Sequence, residues 1–230
     1  MKVLKWESLP NNMRTIEVKQ YYNIVYRKRA YLFVKRLMDM IFSFFLIILL
    51  LPLFALVGIL IKLDSTGPIM FKQIRVTQYG KLFRILKFRT MVQRAEKIGS
   101  QVTVTDDPRI TKIGKVLRKY RIDEMPQLFN IIMGDMTLVG TRPEVPKYVD
   151  RYTPSMRATL LLPAGVTSLA SIAYKDEEKL LSKTNDPDKT YLQVVLPNKM
   201  RYNLEAIRKL SLMNDMKIIY KTIIAVIKRN

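Results

Sequence analysis

Neither cysteine nor histidine occurs in the 230 residues of this chain. The first absence excludes disulfides, thiolate nucleophiles and Cys-ligated zinc. The second removes the commonest general base, the usual catalytic triads and most transition-metal sites. Chemistry must rest on Asp, Glu, Lys, Arg, Tyr, Ser or Thr, and any metal is a hard cation held by oxygens, such as Mg2+. Acid is also scarce: 19 Asp and Glu stand against 40 Lys and Arg, a formal charge of +21. Such an excess needs an anionic partner, whether nucleic acid, anionic lipid or a phosphorylated substrate. The length suits one large domain or two small ones. The first thirty residues, with Glu7, Pro10, Asn11 and Asn12, lack the apolar core of a secretory signal.

What the chain does have is an apolar run from Met40 to Ile61, 22 residues without a charge. As a helix it would be about 33 Å long, enough to cross a bilayer core once. Two features speak against a plain crossing. Pro52 stands mid-run, where it removes a backbone hydrogen bond and bends a helix. Basic residues flank both ends, Arg27, Lys28, Arg29, Lys35 and Arg36 before it and Lys62, Lys72 and Arg75 after it. Positive flanks stay in the cytoplasm. A helix that enters and leaves on one face and a single span with a tolerated proline both fit these residues.

Beyond the run, Ile69 to Met91 reads as strand, turn, strand, with the turn at Gln78-Tyr79-Gly80. From Arg109 to Arg121, Ile110, Ile113, Leu117 and Tyr120 recur at helical spacing among Lys112, Lys115, Arg118, Lys119 and Arg121. That pattern predicts a basic amphipathic helix suited to a headgroup surface. Helices are also expected over 203–210 and 215–227, and residues 140–200 read as loop-rich. The charge excess clusters beside apolar stretches, as an anionic bilayer demands, and not in a groove with exposed aromatics as nucleic acid would require. No nucleic acid partner is expected.

Three segments could carry chemistry. Asp123 and Glu124 follow a dense basic run, and Asp123 is placed to open a helix through Ile132. Either the pair merely caps that helix, or one acid attacks while its neighbour serves a metal beside a phosphate-attracting helix terminus. In the second segment, Gly140 and Pro143 bracket Arg142, which could fork onto phosphate oxygens or simply face water. In the third, Lys87 and Arg89 occupy alternate positions of a strand and hence one face.

Taken in order, these segments resemble the monotopic phosphoglycosyl transferases, or bacterial sugar transferases, over about residues 33–228. The resemblance rests on Lys35-Arg36 with Asp39, Pro52, Gly67-Pro68 with Phe71, Gln73 and Arg75, and Lys87 to Met91. It continues through Asp107, Arg109-Ile-Thr, Gly114, Asp123-Glu-Met-Pro-Gln-Leu with Asn130, Gly134-Asp-Met, Leu138-Val-Gly and Arg142-Pro-Glu. Asp188, Tyr191 and Asp215-Met-Lys-Ile complete it. The departures are Leu51 for a serine before the proline, Thr77 for a turn glycine, Met125 for Leu, Thr141 for a proline, and Pro163-Ala-Gly-Val-Thr-Ser168, which lacks a cation and a glycine.

The resemblance implies an α+β fold. It comprises a re-entrant membrane helix kinked at Pro52 and a compact, mostly helical cytosolic domain with a small β-hairpin and interfacial amphipathic helices. The parts would be an N-terminal extension (1–30), the re-entrant helix (31–63) and the catalytic domain (64–230), on the cytoplasmic face of a bacterial inner membrane. It implies transfer of a sugar 1-phosphate from a UDP-sugar to polyprenyl (undecaprenyl) phosphate with release of UMP, opening the assembly of capsule, exopolysaccharide, O-antigen or glycoprotein glycan. By resemblance Asp123 is the nucleophile that forms a covalent phospho-sugar intermediate. Glu124 assists it, and the two lie at the Mg2+ site. Arg118 matches a position linked to the lipid phosphate and Arg142 an arginine of the active-site loop. Lys87 and Arg89 fall among substrate-binding positions, and Asp188 is a further acid near the site. Partners would be the UDP-sugar, polyprenyl phosphate and anionic membrane lipid, with a homodimer expected only from the size of such enzymes. The alternative is an inactive membrane-anchored partner that recruits glycosyl transferases, which predicts loss of an acid pair that is intact here.

Overall fold

The computed structural model describes residues 1, 3–93, 95 and 107–228. Helix α1 spans Ile16–Arg27, capped by Thr15, whose side chain accepts from Val18 N. Helix α2 follows at once, Arg29–Asp64, 36 residues or roughly 54 Å at the α-helical rise. It is apolar on nearly all sides, so hydropathy could not say which side meets protein. One stripe does so. Leu32, Lys35, Asp39 and Ser43, then Leu46, Ile47 and Leu50, then Phe54, Val57 and Ile61 recur every three or four residues and face the rest of the chain. The opposite side, with Phe33, Leu37, Phe45, Leu49, Leu56, Ile59 and Leu63, is bare. Pro52 lies inside this one helix and not between two. Its ring withdraws the N–H that would serve the Ile48 carbonyl, one bond out of the ladder.

Charges fasten both ends of α2 to the same domain. Lys35 lies 2.8 Å from Asp215 and 3.4 Å from Asp39, and all three side chains are buried or nearly so. The Tyr31 hydroxyl donates to Asp215 at 2.8 Å, and Thr137 donates to Asp39. At the far end Asp64 accepts from Ile113 N at 2.9 Å.

Strands β1 (Met70–Val76) and β2 (Leu82–Phe88) pair antiparallel in register Met70↔Phe88 to Val76↔Leu82, as the pattern predicts. Between them Tyr79 and Gly80 both take positive φ, 59° and 80°. Thr77, a departure from the family pattern, is put to use: its hydroxyl donates to the Asp135 carbonyl at 2.6 Å and accepts from Ala164 N at 3.0 Å. A second, parallel pair joins β3 (Met136–Val139) to β4 (Ala164–Thr167). There Gly165 passes so close to Gly140 that a Cβ would stand 2.2 Å from its backbone nitrogen.

Helix α3 (Lys112–Lys119) is shorter than the amphipathic stretch that suggests it, and Arg109 lies outside it, paired with Asp107 at 2.6 Å. On its apolar side Leu117 and Ile113 pack with Val57, Ile61 and Phe88, while Val116 and Tyr120 stay exposed. Thr111 caps α3 by accepting from Gly114 N at 3.0 Å. Thr111→Ala should cost about 1 kcal/mol, read as a fall in Tm of about 2–4 °C for a chain of this size. An unchanged Tm would remove the cap from the account.

After α4 (Gln127–Met133), the region expected to be loop-rich carries short helices: α5 (Pro146–Val149), α6 (Leu169–Ala173), α7 (Glu177–Leu181) and α8 (Pro187–Thr190). A π-helical turn, Tyr191–Val195, leads into α9 (Leu196–Arg208), which begins seven residues before the expected start, with Pro197 in its first turn. Helix α10 (Leu212–Ile227) closes the described chain. The N-terminal segment contributes to the core. Leu9, Met13, Val18, Tyr21, Tyr22 and Val25 are buried with Leu160, Leu161, Leu196, Met200 and Ile207 in the largest apolar cluster.

Candidate functional site

The acid pair stands at a chain reversal. Helix α3 ends in Arg118 and Lys119; Arg121 then adopts the left-handed conformation, φ 57°, and turns the chain into a 3-10 turn at Ile122–Glu124. Gly114 makes the approach possible, since a Cβ there would lie 2.1 Å from the Thr90 carbonyl oxygen. Helix α4 starts only after Pro126, and no side chain caps it. Asp123 therefore does not open that helix: Pro126 holds the cap position and leaves the carboxylate free for other work. Asn130 anchors the following turn, donating to the Arg84 carbonyl and accepting from Leu86 N, both at 2.9 Å. The hairpin and the acid pair are thus fixed relative to each other.

The two acids have opposite surroundings. Glu124 is gripped by Arg142 in a fork, Nη1 to Oε2 at 3.0 Å and Nη2 to Oε1 at 2.5 Å. Lys87 Nζ adds a contact at 3.0 Å and Arg121 one at 3.4 Å. Burial pushes the Glu124 carboxyl up, but Arg142 and Lys87, with help from Arg121, outweigh it and hold it well below the ordinary carboxylate range. Arg142 in turn is locked in its charged form by Glu124. Burial lowers Lys87 to about 8 although Glu124 pulls it the other way. Asp123, 8 % exposed, has no hydrogen-bond partner for its Oδ1 among the described residues. Burial, then the neighbouring Glu124, raise its pKa against the pull of Lys87, Arg121 and Arg118. One carboxylate is thus neutralised by a ring of cations while its neighbour is left desolvated and uncommitted. Divergent surroundings of this kind mark acids with different tasks.

The other predicted residues divide. Lys87 and Arg142 meet at Glu124. Arg118 belongs to the helix leading into the turn and pairs with Glu178 of α7. Arg89 does not join them. It donates to the Ser65 carbonyl at 2.6 Å, to Ser65 Oγ at 2.9 Å and to the Ile61 carbonyl at 3.3 Å, closing the C-terminus of α2. Alternation along the strand put Lys87 and Arg89 on one face, but the strand ends at Phe88 and the end of α2 takes the Arg89 side chain. Asp188 sits on α8, accepting from the Tyr148 hydroxyl at 2.6 Å and lying 3.4 Å from Lys147. It belongs to an outer buttress: Tyr148 packs on Tyr191, whose hydroxyl donates to Glu144 at 2.5 Å, and Lys199 lies 2.9 Å from Glu177.

Residues that sequence reasoning left unassigned complete the frame. Arg121 is one, and its membership of the run ending at the acid pair was the available signal. Arg75 is another: from β1 it donates to the Pro143 carbonyl at 3.1 Å and so fixes the loop that presents Arg142. No local pattern points to Glu178 or Lys199, because each is defined by a partner far away in sequence.

The bacterial sugar transferase family profile matches residues 30–229. A UDP-N-acetylgalactosamine-undecaprenyl-phosphate N-acetylgalactosaminephosphotransferase of Aeromonas hydrophila is 38% identical over 196 residues, 84% of this chain and 43% of that protein. A UDP-glucose:undecaprenyl-phosphate glucose-1-phosphate transferase of Escherichia coli (strain K12) is 31% identical over 194 residues, 82% of this chain and 39% of that protein. An exopolysaccharide production protein of Sinorhizobium fredii is 31% identical over 207 residues, 84% of both chains. The chain thus spans about two fifths of the longer relatives and most of the shorter one. The matched stretch begins at the first helical turn of α2 and takes in the acid pair, its three cations and the parallel strand pair, and the chain belongs to the bacterial sugar transferase family.

Proposed function

We propose that this chain transfers a sugar 1-phosphate from a UDP-sugar to polyprenyl phosphate. The observation that carries the reading is the buried, unpartnered Oδ1 of Asp123 beside a Glu124 whose charge is already spent on Arg142, Lys87 and Arg121. A nucleophile must be ionised yet uncommitted, and Asp123 meets the second requirement as no other acid of the site does. In the first displacement the Asp123 carboxylate attacks the phosphorus that bears the sugar. The phosphoanhydride bond breaks and UMP leaves with the bonding electrons on its phosphate. In the second, a phosphate oxygen of the acceptor attacks the same phosphorus and breaks the Asp123 O–P bond. The products are the polyprenyl diphosphate sugar and free carboxylate.

The cations around Glu124 would meet the phosphate oxygens and stabilise charge in the transition state. Among the described residues no three acids converge as a protein-built metal cage. Mg2+ is commonly held by one or two carboxylates plus substrate phosphates, so an ion that arrives with the diphosphate would meet Asp123 directly, and would add Glu124 only as the phosphates draw Arg142 or Lys87 away from it. When bound, that ion would neutralise the donor's negative charge.

A re-entrant path for α2 is supported by its attachments. Lys35 and Asp39 near one end, and Asp64 near the other, are tied to one charged domain. A straight crossing would leave one set of those contacts across about 30 Å of hydrocarbon. With both ends on the cytoplasmic side, the bare apolar face of α2 enters the bilayer and Pro52 lies near its deepest point. Met213, Met216, Tyr220, Ile223 and Ile227, all exposed at helical spacing on α10 beside Lys217 and Lys221, would rest on the same interface.

The test uses nanodisc-held protein with Mg2+ and a panel of UDP-sugars, because the relatives' names differ in the sugar. Exchange of labelled UMP into one UDP-sugar without acceptor reports the first displacement. Exchange with none of the donors would sink the reading.

Lys87 sets an alkaline limit. Its ammonium is lost as pH rises through about 8, so kcat/KM for the donor should fall on that limb, which reports the free enzyme. Lys87→Arg keeps its charge above pH 12 and should carry the limb upward. A limb that stays in place in the variant would show that Lys87 does not cause it.

A further inference from the structure

Three cations pull the Asp123 carboxyl down against its burial: Lys87, Arg121 and Arg118. Two of them are committed to the neighbouring acid, Lys87 Nζ at 3.0 Å and Arg121 Nη1 at 3.4 Å from Glu124 Oε1. Arg118 is the exception. From the last turn of α3 its Nη2 donates to Oε1 of Glu178, on α7. Of the three, Arg118 alone has a partner that can leave without stripping Glu124 of its neutralising charge.

Helix α7 presents two adjacent acids, and they are held in different ways. Glu177 lies 2.9 Å from Lys199, whose side chain is 6% exposed. Lys199 in turn stands 3.3 Å from the Tyr191 hydroxyl and 3.9 Å from Glu144, two residues after Arg142. The Glu177 charge also helps to keep Arg142 protonated. This buried grip ties α7 to the frame of the Arg142 loop. Glu178 and Arg118 are wetter, 39% and 22% exposed at the side chain. An ion pair with such access to water is worth at most about fivefold in an equilibrium, so another anion can replace the carboxylate. A phosphate offers the guanidinium the same two-pronged contact with more charge.

We infer that Glu178 is a placeholder for a substrate phosphate: its carboxylate holds Arg118 while the site is empty and yields it to a phosphate oxygen when substrate arrives. The inference rests on the proposed transfer. Glu178 touches no reacting atom and is a positioning residue, acting through Arg118. The phosphate belongs either to the sugar nucleotide or to the lipid acceptor, and the arms of the experiment separate the two.

Glu178→Gln keeps the shape of the side chain and removes the competing charge. In nanodiscs, acceptor-free exchange of labelled UMP gives the KM for the UDP-sugar, and the complete transfer gives the KM for undecaprenyl phosphate. At least one of these should fall about two- to fivefold with kcat unchanged, and the one that falls names the phosphate that Arg118 receives. Arg118→Gln should raise that same KM, and adding Glu178→Gln to it should change nothing further. A purely structural role would lower Tm or kcat and leave both KM values in place. Unchanged KM values in Glu178→Gln, or a fall that persists in the Arg118→Gln background, would overturn the inference alone, since wild-type exchange keeps the transfer reading intact. No exchange in the wild type would instead remove that reading and the inference with it.

Discussion

Asp123→Asn is expected to lower UMP exchange by a factor on the order of 10^4 to 10^6, the range seen when a nucleophilic unit is dismantled, while Tm at pH 7 stays at or above that of the wild type. The amide keeps the shape of the side chain and cannot form the phosphoryl ester. The stability half follows from burial. Burial and Glu124 raise the folded-state pKa of Asp123, so the charged form costs the fold energy above that pKa, and the cost disappears as pH falls through it. A neutral amide carries no such cost. Each kcal/mol recovered would read as about 2–4 °C in a chain of this size. Stability is commonly sacrificed at sites built for reaction. Thermal melts beside exchange assays check both halves. Exchange at the wild-type rate would end the assignment of Asp123 as nucleophile, and a lower Tm would mean that the carboxylate is a structural ion-pair member.

Glu124→Gln should behave in the opposite way. Its carboxylate is the common counter-charge of Arg142, Lys87 and Arg121, and an isosteric amide leaves three cations facing one another. Removing one partner of a buried ion pair costs about 3–5 kcal/mol. With Arg142 28% and Lys87 17% exposed at the side chain, water takes up part of the loss, so the lower end applies. Tm should fall by roughly 6–12 °C at pH 7. The sign with pH is fixed. The folded pKa of Glu124 lies well below its unfolded value, so its contribution is present above the unfolded pKa and is lost as pH falls toward the folded one. The gap between wild type and Glu124→Gln should therefore narrow in acid. The alkaline limb assigned to Lys87 should also move below about 8, since Glu124 is what holds that ammonium up. A variant with the wild-type Tm and limb would show that the fork seen here contributes nothing.

Legibility differed from element to element. The hairpin was readable because strand pairing and its turn are set by neighbours in sequence, and two paired strands flank the expected turn at Gln78–Gly80. Helix α10 was readable in extent from its periodicity, and α9 in part. The neighbours of α3 were not: a pattern marks Leu117 and Ile113 as apolar without saying what they meet, and in space they pack on the flank of α2. The same holds for Arg89, which shares a strand face with Lys87 in projection and goes to the carbonyls of Ile61 and Ser65 in space. Residues 1–30 read as an extension because they hold no long apolar run. Their scattered Leu9, Met13, Val18, Tyr22 and Val25 became core only when α9 and the segment around Leu160 came to meet them.

By itself the sequence determined the class of chemistry and the family. The lack of Cys and His left oxygen and cation chemistry, the charge excess demanded an anionic partner, and the ordered motifs around Asp123, Glu124 and Arg142 named the rest. It also determined that one helix is apolar enough to cross a membrane. Tertiary structure alone decided which of two adjacent acids is spent and which is free. In sequence Asp123 and Glu124 differ by one methylene. In space Glu124 points at cations delivered by a strand (Lys87), a loop (Arg142) and the preceding turn (Arg121), while Asp123 Oδ1 has no hydrogen-bond partner among the described residues. Charge neutralisation and desolvation act over a few ångströms, and those distances exist only once segments far apart along the chain have been brought together.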